Sequence, residues 1–320
     1  MNDTENKLRV GLIAVKNTPE EELWLLSFLQ GVEAESYRRG CRYDLVWFLN
    51  VTPELRFIKK HTDIQTLVVG MEPEFMYPLN YDADLLSFAD RYMGYRNFAS
   101  ETFRGKFEPY TFPIYPKAEI VKQVSLSKES PRDHDFCLFA THDPNVRKAL
   151  GIEAGRYKSI LAGPFFKNWI PDKPDVQRRC RYELITENDI NEYYFSEKLG
   201  AALTAGCVPV YWGCQRIKKK IPSDLFIDMS DFAGADGVPD VGKVIEHCMT
   251  PGIYEKYFSA IKSKAQDFLI ERFSIETCLT DPMQRFIDEL NASGWRAEKY
   301  SLIWTLWRWR SKLFRLLKKA

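Results

Sequence analysis

The stretch YELITENDINEYYFSEKLGAALTAGCVPVYWG, residues 182–213, gives the clearest indication of the fold. It opens with a short apolar run at 182–185, passes through a polar loop, and then takes a helical pattern of small residues that ends at Gly206. A second apolar run follows at 208–211. Strand, helix and strand in this order, with continuous apolar runs, are typical of a parallel sheet covered by helices.

The same alternation extends in both directions along the chain. In the N-terminal half the pattern predicts strands at 8–15, 43–49 and 67–69 and helices at 19–38 and 53–60. In the C-terminal half it predicts further strands at 136–140 and 225–227 and helices at 145–157, 193–206, 240–250 and 252–272. Apolar spacing near 3.6 residues supports the helices, and short apolar runs support the strands.

The length of 320 residues suggests about two α/β domains. A passage rich in Pro, Ser and Lys separates the two strand–helix series. We therefore expect an N-terminal domain at 1–115, a linker at 116–133, a second domain at 134–295 and a basic tail at 296–320.

Composition excludes several classes of protein. Apolar residues make up 45% and aromatic residues 14% of the chain, which argues against intrinsic disorder. A net charge of +1 gives no reason to expect a nucleic-acid partner. The seven cysteines include no Cys-x-x-Cys pair, and the N-terminal apolar run is too short for a signal sequence or a membrane span. We expect reduced thiols and a cytoplasmic chain.

The last 25 residues differ from the rest in charge. Residues 296–320 hold eight basic residues and one acid, a net charge of +7, whereas the remainder carries −6. As a helix, this segment places Arg308, Lys312, Arg315 and Lys319 on one face beside a stripe of Leu and Trp. Such a helix is typical of a membrane interface. The alternative is a terminal helix that packs on its own protein.

Polar side chains collect where a ligand of an α/β sheet would bind. Thr186, Glu187 and Asn188 follow the first strand, and Ser196, Glu197 and Lys198 are predicted in the first turn of the next helix. A lysine suits a phosphate, and a carboxylate accepts hydrogen bonds from sugar hydroxyls. These groups suit a nucleotide sugar, although Ser-Glu-Lys alone also describes a capped, solvated helix start.

Four motifs together resemble the donor-binding region of glycosyltransferase family 10, the α-1,3/1,4-fucosyltransferases. They are TEN (186–188), YFSEKL (194–199), AGCVPVYWG (205–213) and SDLFIDMSDF (223–232). Upstream, FCLFATHDPNVRKAL (136–150) and VVGMEP (68–73) resemble family segments in the same order.

The resemblance implies a GT-B fold, with two Rossmann-like domains facing across a cleft and the donor held by the C-terminal one. It implies inverting transfer of L-fucose from GDP-β-L-fucose to a glycan hydroxyl, most simply with an α-1,3 linkage. Glu72 is then the catalytic base, with Glu74 as the competing candidate. Arg147 and Lys198 would contact the diphosphate.

The remaining donor contacts also follow from the resemblance. Glu197 would bind the ribose or the fucose, Asn188 and Tyr194 would line the donor pocket, and Glu187 would orient Lys198 or the sugar. The alternative for Arg147 is a surface arginine of its helix, and the alternative for Tyr194 is a packed core aromatic. No metal-ligand pair exists among the four histidines, so the sequence requires no metal and no cofactor besides the donor.

These predictions describe a bacterial peripheral membrane enzyme of lipopolysaccharide or other cell-surface glycan synthesis, held on the cytoplasmic face of the inner membrane by its tail. Its acceptor would be an oligosaccharide or a lipid-linked glycan. Two departures from the family pattern, Thr186 and His142, leave another GDP- or UDP-sugar open as the donor. A non-catalytic glycan- or nucleotide-binding protein is the third alternative.

Overall fold

The computed structural model describes residues 7–15, 27–96, 106–141 and 145–307. The chain forms two compact units. Unit 1 contains the described residues up to Tyr110 together with those from Leu279 onward, and unit 2 contains Thr111–Cys278. Among the described helices, none combines the length and the apolar character that crossing a bilayer would need.

Unit 1 is built on a parallel sheet of six strands in the order β2-β1-β3-β4-β5-β6. The central strand β3 reads LVWFL and is buried at every residue, as expected for a strand covered on both faces. The strands are β1 (Leu8–Ala14), β2 (Val32–Ser36), β3 (Leu45–Leu49), β4 (Gln65–Val69), β5 (Arg91–Gly94) and β6 (Lys106–Pro109).

Unit 1 contains the helices α1 (Glu54–His61), α2 (Ala83–Leu86) and α9 (Asp281–Ala292), and residues 302–307 are also helical. Helix α1 buries Leu55 and Ile58 against the sheet, where Phe48 and Val68 belong to the same apolar core. Helix α9 returns from the far end of the chain. It is joined to β5 by an ion pair between Arg91 and Glu289.

Unit 2 is built on a parallel sheet of five strands in the order β11-β10-β9-β7-β8. Strand β9 lies in the middle, and all its residues except Arg181 are buried. The strands are β7 (His134–Phe139), β8 (Ser159–Ala162), β9 (Cys180–Thr186), β10 (Val208–Trp212) and β11 (Ile227–Asp228).

Six helices of the described residues accompany this sheet. The longest, α8, spans 21 residues and buries Ile261, Ala265, Leu269 and Phe273, a spacing of four that keeps these side chains on one face. The helices are α3 (Lys117–Glu129), α4 (Asn145–Ala154), α5 (Lys173–Arg179), α6 (Lys198–Thr204), α7 (Val241–Met249) and α8 (Ile253–Phe273).

Both sheets reverse their strand order beside their first strand in sequence. In unit 1 the chain moves from β1 to one side and then to the other at β3, and in unit 2 it does so between β7 and β9. Such a reversal leaves a crevice at the carboxyl ends of the two strands, where open α/β sheets bind their ligands. In unit 2 the topology therefore predicts a ligand-binding site at the residues that follow β7 and β9.

The helix predicted at 19–38 is wrong at its C-terminal end. Residues 32–36 form strand β2, which pairs with β1 over five residues from Leu8 to Leu12, and residues 16–26 lie outside the described part of the chain. The sequence of β2, VEAES, is rich in good helix formers. An edge strand of this kind is stabilised by its neighbour in the sheet, and that tertiary term overrides local propensity.

The predicted linker is also corrected by the structure. Residues 117–129 form helix α3 of unit 2, which buries Ile120, Val124 and Ser127. Pro116 immediately precedes the helix, and Ser125 and Ser127 lie within it, so these residues do not mark a linker. The unit boundaries fall at Tyr110 and Cys278, since α9 belongs to unit 1.

The helix predicted at 193–206 is shorter than expected. Helix α6 begins at Lys198, so Ser196 and Glu197 precede its first turn. The side chain of Asn191 accepts hydrogen bonds from the backbone N–H groups of Tyr193 and Tyr194, which fixes this segment as a turn.

The start of the C-terminal tail packs on unit 1. Trp304 is 1% exposed and lies against Phe57, with 6.0 Å between ring centroids. The backbone N–H of Ser301 donates to the carbonyl of His61 at 2.8 Å. Residues 300–307 of the predicted tail therefore pack on the protein. The remainder of the tail, residues 308–320, lies outside the described residues.

Candidate functional site

A cavity of about 310 Å³ lies at the reversal point of the unit 2 sheet. Its wall combines the C-terminal ends of β7 and β9 with the turn after β8 and the first residues of α5 and α6. The residues that line it include Phe139, Ala140, Thr141, Gly163, Pro164, Trp169, Ile170, Lys173, Glu183, Thr186, Glu197 and Lys198. Of the six residues predicted to contact the donor, Glu197 and Lys198 line this cavity.

Lys198 brings a positive charge into this cavity. Its ammonium donates to the carbonyl of Thr186 at 3.1 Å and to Oε2 of Glu187 at 3.0 Å. An ammonium has three donors, so two are used inside the protein within the described residues. The side chain is 21% exposed, and it can direct the third donor to an anion. Helix α6 has only seven residues, so attraction for an anion depends on this lysine.

Glu187 fixes Lys198. Its carboxylate is fully buried and accepts hydrogen bonds from the backbone N–H of Ser196 at 2.8 Å, from the Ser196 hydroxyl at 2.9 Å and from Lys198. Tyr211 donates to the same carboxylate at 3.4 Å, and burial raises the pKa of this tyrosine well above its usual range. Of the two roles expected for Glu187, the geometry favours orientation of Lys198.

Arg147 is buried, with 4% exposure, so the alternative of a surface arginine is wrong. Its guanidinium donates to the carbonyls of Thr186 and Glu187 at 3.0 and 3.2 Å, to Oδ1 of Asn188 at 2.9 Å and to the Thr186 hydroxyl. Burial lowers its pKa from the usual value. Arg147 is not among the residues that line the cavity, and its contact with a diphosphate stays a prediction.

Glu197 and Tyr194 have different surroundings. Glu197 lines the cavity, and its carboxylate makes no hydrogen bond or ion pair with the described residues, so it can accept from a ligand's hydroxyls. Tyr194 is 5% exposed and does not line the cavity, which favours its description as a packed aromatic. Asn188 is exposed at the surface of the loop beyond Glu187.

Two charged residues of this cavity were missed by the sequence analysis. Lys173 begins helix α5, and Glu183 lies in the middle of β9 and is 2% exposed. Gln177 donates to Oε2 of Glu183 at 2.6 Å, and the Lys173 ammonium lies 3.4 Å from Oε1. The sequence signal that could have found this group is an acid inside an otherwise apolar strand, since such a residue needs a buried partner.

The predicted base lies in unit 1, on the loop that follows β4. Asn50, which follows β3 and has a φ of 66°, accepts hydrogen bonds from the backbone N–H groups of Met71 and Glu72 at 2.9 and 3.3 Å. Asn80 donates to the Asn50 side chain at 2.7 Å and to the carbonyl of Glu72. This buried pair of asparagines holds the backbone at Glu72, whereas Glu74 and Phe75 beyond it are exposed.

The structure thus brings Glu187, Glu197 and Lys198 together, with Arg147 behind them, and places Glu72 in the other unit. His142 lies outside the described residues. In the part of the chain that is described, no three His, Cys, Asp or Glu side chains gather so as to hold a metal ion.

Known proteins match the part of the chain that contains Glu197 and Lys198. Residues 167–280 match the model of the glycosyltransferase family 10 (fucosyltransferase) C-terminal domain. The chain is 22% identical over 151 residues to the α-(1,3)-fucosyltransferase FucT of Helicobacter pylori, covering 44% of this chain and 32% of that protein. It is 39% identical over 75 residues to mouse 4-galactosyl-N-acetylglucosaminide 3-α-L-fucosyltransferase 9, covering 22% of this chain and 21% of that one.

These matches confirm the resemblance to family 10. The chain aligns with a third or less of the length of these two relatives.

Solved structures match over nearly the whole chain. A crystal structure of an α1,3-fucosyltransferase superposes with a TM-score of 0.59 at 13% identity, covering 92% of each chain. A structure of such an enzyme with GDP gives 0.57, and an α-glucosyltransferase in complex with UDP-glucose and abasic DNA gives 0.50 at 10% identity. At these identities the likeness shows the fold, and the predicted α/β architecture with two parallel sheets, of the GT-B type, is confirmed.

Proposed function

We propose that this protein is an inverting fucosyltransferase that moves L-fucose from GDP-β-L-fucose to a hydroxyl of a glycan acceptor, with an α-1,3 linkage. The observation that carries the proposal is the cavity beside Glu197 and Lys198. It lies within the residues that match the fucosyltransferase family model. A structure similar in fold has been solved with GDP-fucose.

The donor fits the chemistry of the cavity in a simple arrangement. Lys198 neutralises the diphosphate as negative charge grows on the leaving GDP, and Glu197 accepts hydrogen bonds from the ribose or the fucose. Glu187 and Arg147 stabilise this arrangement, because Glu187 accepts a hydrogen bond from Lys198 and Arg147 donates to the carbonyl of Glu187. No metal is required to offset the diphosphate charge in this arrangement.

Glu72 removes the proton from the acceptor hydroxyl as that oxygen attacks the anomeric carbon. Inversion needs the acceptor oxygen and the leaving phosphate on opposite sides of the sugar, so the base belongs with the acceptor rather than with the donor. The backbone at Glu72 is held by Asn50 and Asn80, which supports a fixed position for its side chain.

The setting of the reaction is proposed from the tail. The described start of the tail packs through Trp304 and leaves Leu302, Ile303 and Leu306 exposed at 74%, 48% and 58%. With the basic residues that follow in sequence, these side chains suit an anionic membrane surface. We propose a peripheral enzyme of lipopolysaccharide or other cell-surface glycan assembly on the cytoplasmic face of a bacterial inner membrane.

The test is transfer by the purified protein from GDP-fucose to an acceptor that ends in 4-galactosyl-N-acetylglucosaminide, or to a lipid-linked glycan. The linkage and the anomeric configuration are read by NMR. Glu72→Gln should lower kcat by about 100-fold or more if Glu72 is the base, whereas Glu74→Gln, two residues on, should leave it nearly unchanged. Loss of turnover in Glu74→Gln alone would move the base to Glu74.

A second candidate is the same reaction with another GDP- or UDP-sugar. Thr186 favours it, because the residue differs from the family pattern, lines the cavity and has its hydroxyl bonded to Arg147. Competition between GDP-fucose, GDP-mannose, UDP-glucose and UDP-galactose separates the two candidates. If Glu197→Ala alters nucleotide binding and the wild type turns over no donor at all, the protein is a non-catalytic binding module instead.

A further inference from the structure

Glu183 is an acid in the middle of the most central strand of unit 2. It is 2% exposed and stands in register with Cys137 on β7 and Pro209 on β10. Moving a carboxylate out of water costs roughly several kcal/mol of folding free energy unless hydrogen-bond partners replace the water around it. A hydrophobic residue would fill this position at lower cost, so the acid calls for a function.

The partners of Glu183 leave part of its carboxylate available. Oε2 accepts from Gln177 at 2.6 Å, whereas Oε1 has a single neighbour, the Lys173 ammonium at 3.4 Å, within the described residues. A carboxylate can accept about four hydrogen bonds, and Glu183 lines the cavity. Acceptor capacity therefore remains on the side of this carboxylate that Lys173 approaches.

Lys173 is the complementary group. Its ammonium lies 4.7 Å from the centroid of the Phe139 ring, and the side chain is 37% exposed in the cavity. Burial opposes its charge, but the carboxylates of Glu183 and Glu197 more than compensate, so the pKa of Lys173 is raised above its usual value. The cavity thus presents the donor Lys173 next to the acceptor Glu183.

This pair lies away from the residue that would hold a phosphate. Lys198 contacts the carbonyl of Thr186, and Glu183 is three residues earlier on the same strand, which is about 10 Å along the strand. The cavity near Lys173 is lined by Phe139, Ile170 and Trp169, whose side chain is 81% exposed. The aromatic rings of Phe139 and Trp169 suit a nucleobase, whereas the Lys198 end suits phosphate.

We propose that Lys173 and Glu183 select guanine as the base of the donor nucleotide. Guanine presents O6 as an acceptor beside the N1–H and 2-amino donors, so O6 accepts from Lys173 while the two N–H groups donate to Glu183. Uracil offers one N–H between two carbonyl oxygens and leaves the carboxylate one donor short. The inference rests on the proposed function, since it assigns the base end of the same nucleotide-sugar site.

The test compares GDP with inosine diphosphate and UDP by calorimetric titration of the full-length protein. Inosine diphosphate lacks only the 2-amino group, so the GDP-to-IDP affinity ratio reports on that group alone. A lost hydrogen bond to a buried carboxylate should make GDP about tenfold tighter than inosine diphosphate. The variant Glu183→Gln should bring this ratio close to one.

The matched control is Glu197→Gln, which lies in the same cavity but is assigned to the sugar. It should weaken GDP and inosine diphosphate by the same factor and leave their ratio unchanged. Equal affinity of the wild type for the two nucleotides would overturn the inference even if Glu183→Gln fails to fold, because the wild-type ratio needs no variant.

The inference and the proposed function fail in different ways. GDP binding with no preference over inosine diphosphate overturns the base assignment and leaves the donor site in place. Tighter binding of UDP than of GDP also overturns it and favours the second candidate donor. If no nucleotide binds at all, the proposed function fails and the inference fails with it.

Discussion

Lys198 is held in place by the carboxylate of Glu187, which does not line the cavity, and by the carbonyl of Thr186. The buried Glu187 carboxylate also receives hydrogen bonds from Ser196 and Tyr211, and Arg147 donates to the carbonyls of Thr186 and Glu187. These bonds fix the two groups to which the Lys198 ammonium donates. The ammonium is therefore positioned before a ligand arrives, which is the arrangement that makes an electrostatic contact effective.

Replacing Lys198 by methionine should weaken GDP binding by about tenfold or more, because a charge-assisted hydrogen bond to a phosphate contributes about 1.5–3 kcal/mol. The measurement is calorimetric titration with GDP. The matched control is Lys148→Met on the exposed side of α4, a residue that does not line the cavity, and this variant should bind GDP like the wild type. Equal loss in both variants would mean that the effect is general charge rather than a contact.

The site residues that could be predicted from the sequence are those that lie close together along the chain. Glu187, Glu197 and Lys198 lie within 12 positions, so one motif contains them all. Glu183 and Lys173 were missed because an acid in a predicted strand and a lysine in a polar loop show their relation only when α5 packs on β9. Asn50 was missed for the same reason, since its partner Asn80 is 30 positions away.

At the scale of elements, strand β10 supports the site through its last residues. Gly213 follows β10, and a Cβ there would lie 2.5 Å from Cγ of Glu187 and 2.6 Å from the Tyr211 hydroxyl. Both neighbours belong to the hydrogen-bond network that positions Lys198, and neither is the free end of a flexible chain. The close approach of backbone to carboxylate explains why a glycine ends this strand.

Gly213→Ala should displace Glu187, lower the free energy of unfolding by about 1–3 kcal/mol through overpacking, and weaken GDP binding. Urea unfolding and GDP titration measure the two effects. The matched control is Gly242→Ala in the first turn of α7, where a Cβ would meet nothing closer than 3.4 Å. That change should leave stability the same or slightly higher, since alanine is the better helix former. A neutral Gly213→Ala would contradict the packing described here.

The start of the tail should contribute to stability and to membrane binding through different side chains. Trp304→Ala removes a side chain that is 1% exposed and should cost about 3–5 kcal/mol in urea unfolding. Trp304→Phe should cost less, because the indole N–H has no hydrogen-bond partner within the described residues. Leu306→Ser, at a side chain that is 58% exposed, should leave stability unchanged and reduce sedimentation with anionic vesicles. Undiminished sedimentation of Leu306→Ser would remove the exposed leucines from the membrane proposal.

The elements that the sequence predicted best are those with their own strong pattern. Strands β1, β3, β9 and β10 were predicted within two residues at each end, because they are apolar runs buried on both faces. The strands β2, β5, β6 and β8 were missed, since short strands such as VEAES and SILA carry few apolar residues or little alternation. Their place is set by the neighbouring strand rather than by local sequence.

For the whole molecule, each unit repeats one plan. In both sheets the first strand in sequence lies inside the sheet, with its successor on one side and the later strands on the other. Unit 2 has its cavity at this reversal, and there the family-matched segment, the charged pair Lys173–Glu183 and Lys198 come together. The fold of a unit therefore determines where a ligand binds, while side chains determine which ligand it is.

The most direct test of the central claim, that the unit 2 cavity binds a GDP-sugar, is the thermal unfolding midpoint of the full-length protein with GDP, GDP-fucose and UDP-glucose. A ligand at a concentration of 100 times its Kd contributes about 2.7 kcal/mol to the folded state. We expect GDP and GDP-fucose to raise the midpoint by several degrees, UDP-glucose to do so far less, and Lys198→Met to reduce the shift. A midpoint unmoved by either GDP ligand, or moved equally in Lys198→Met, would contradict binding of a GDP-sugar in this cavity.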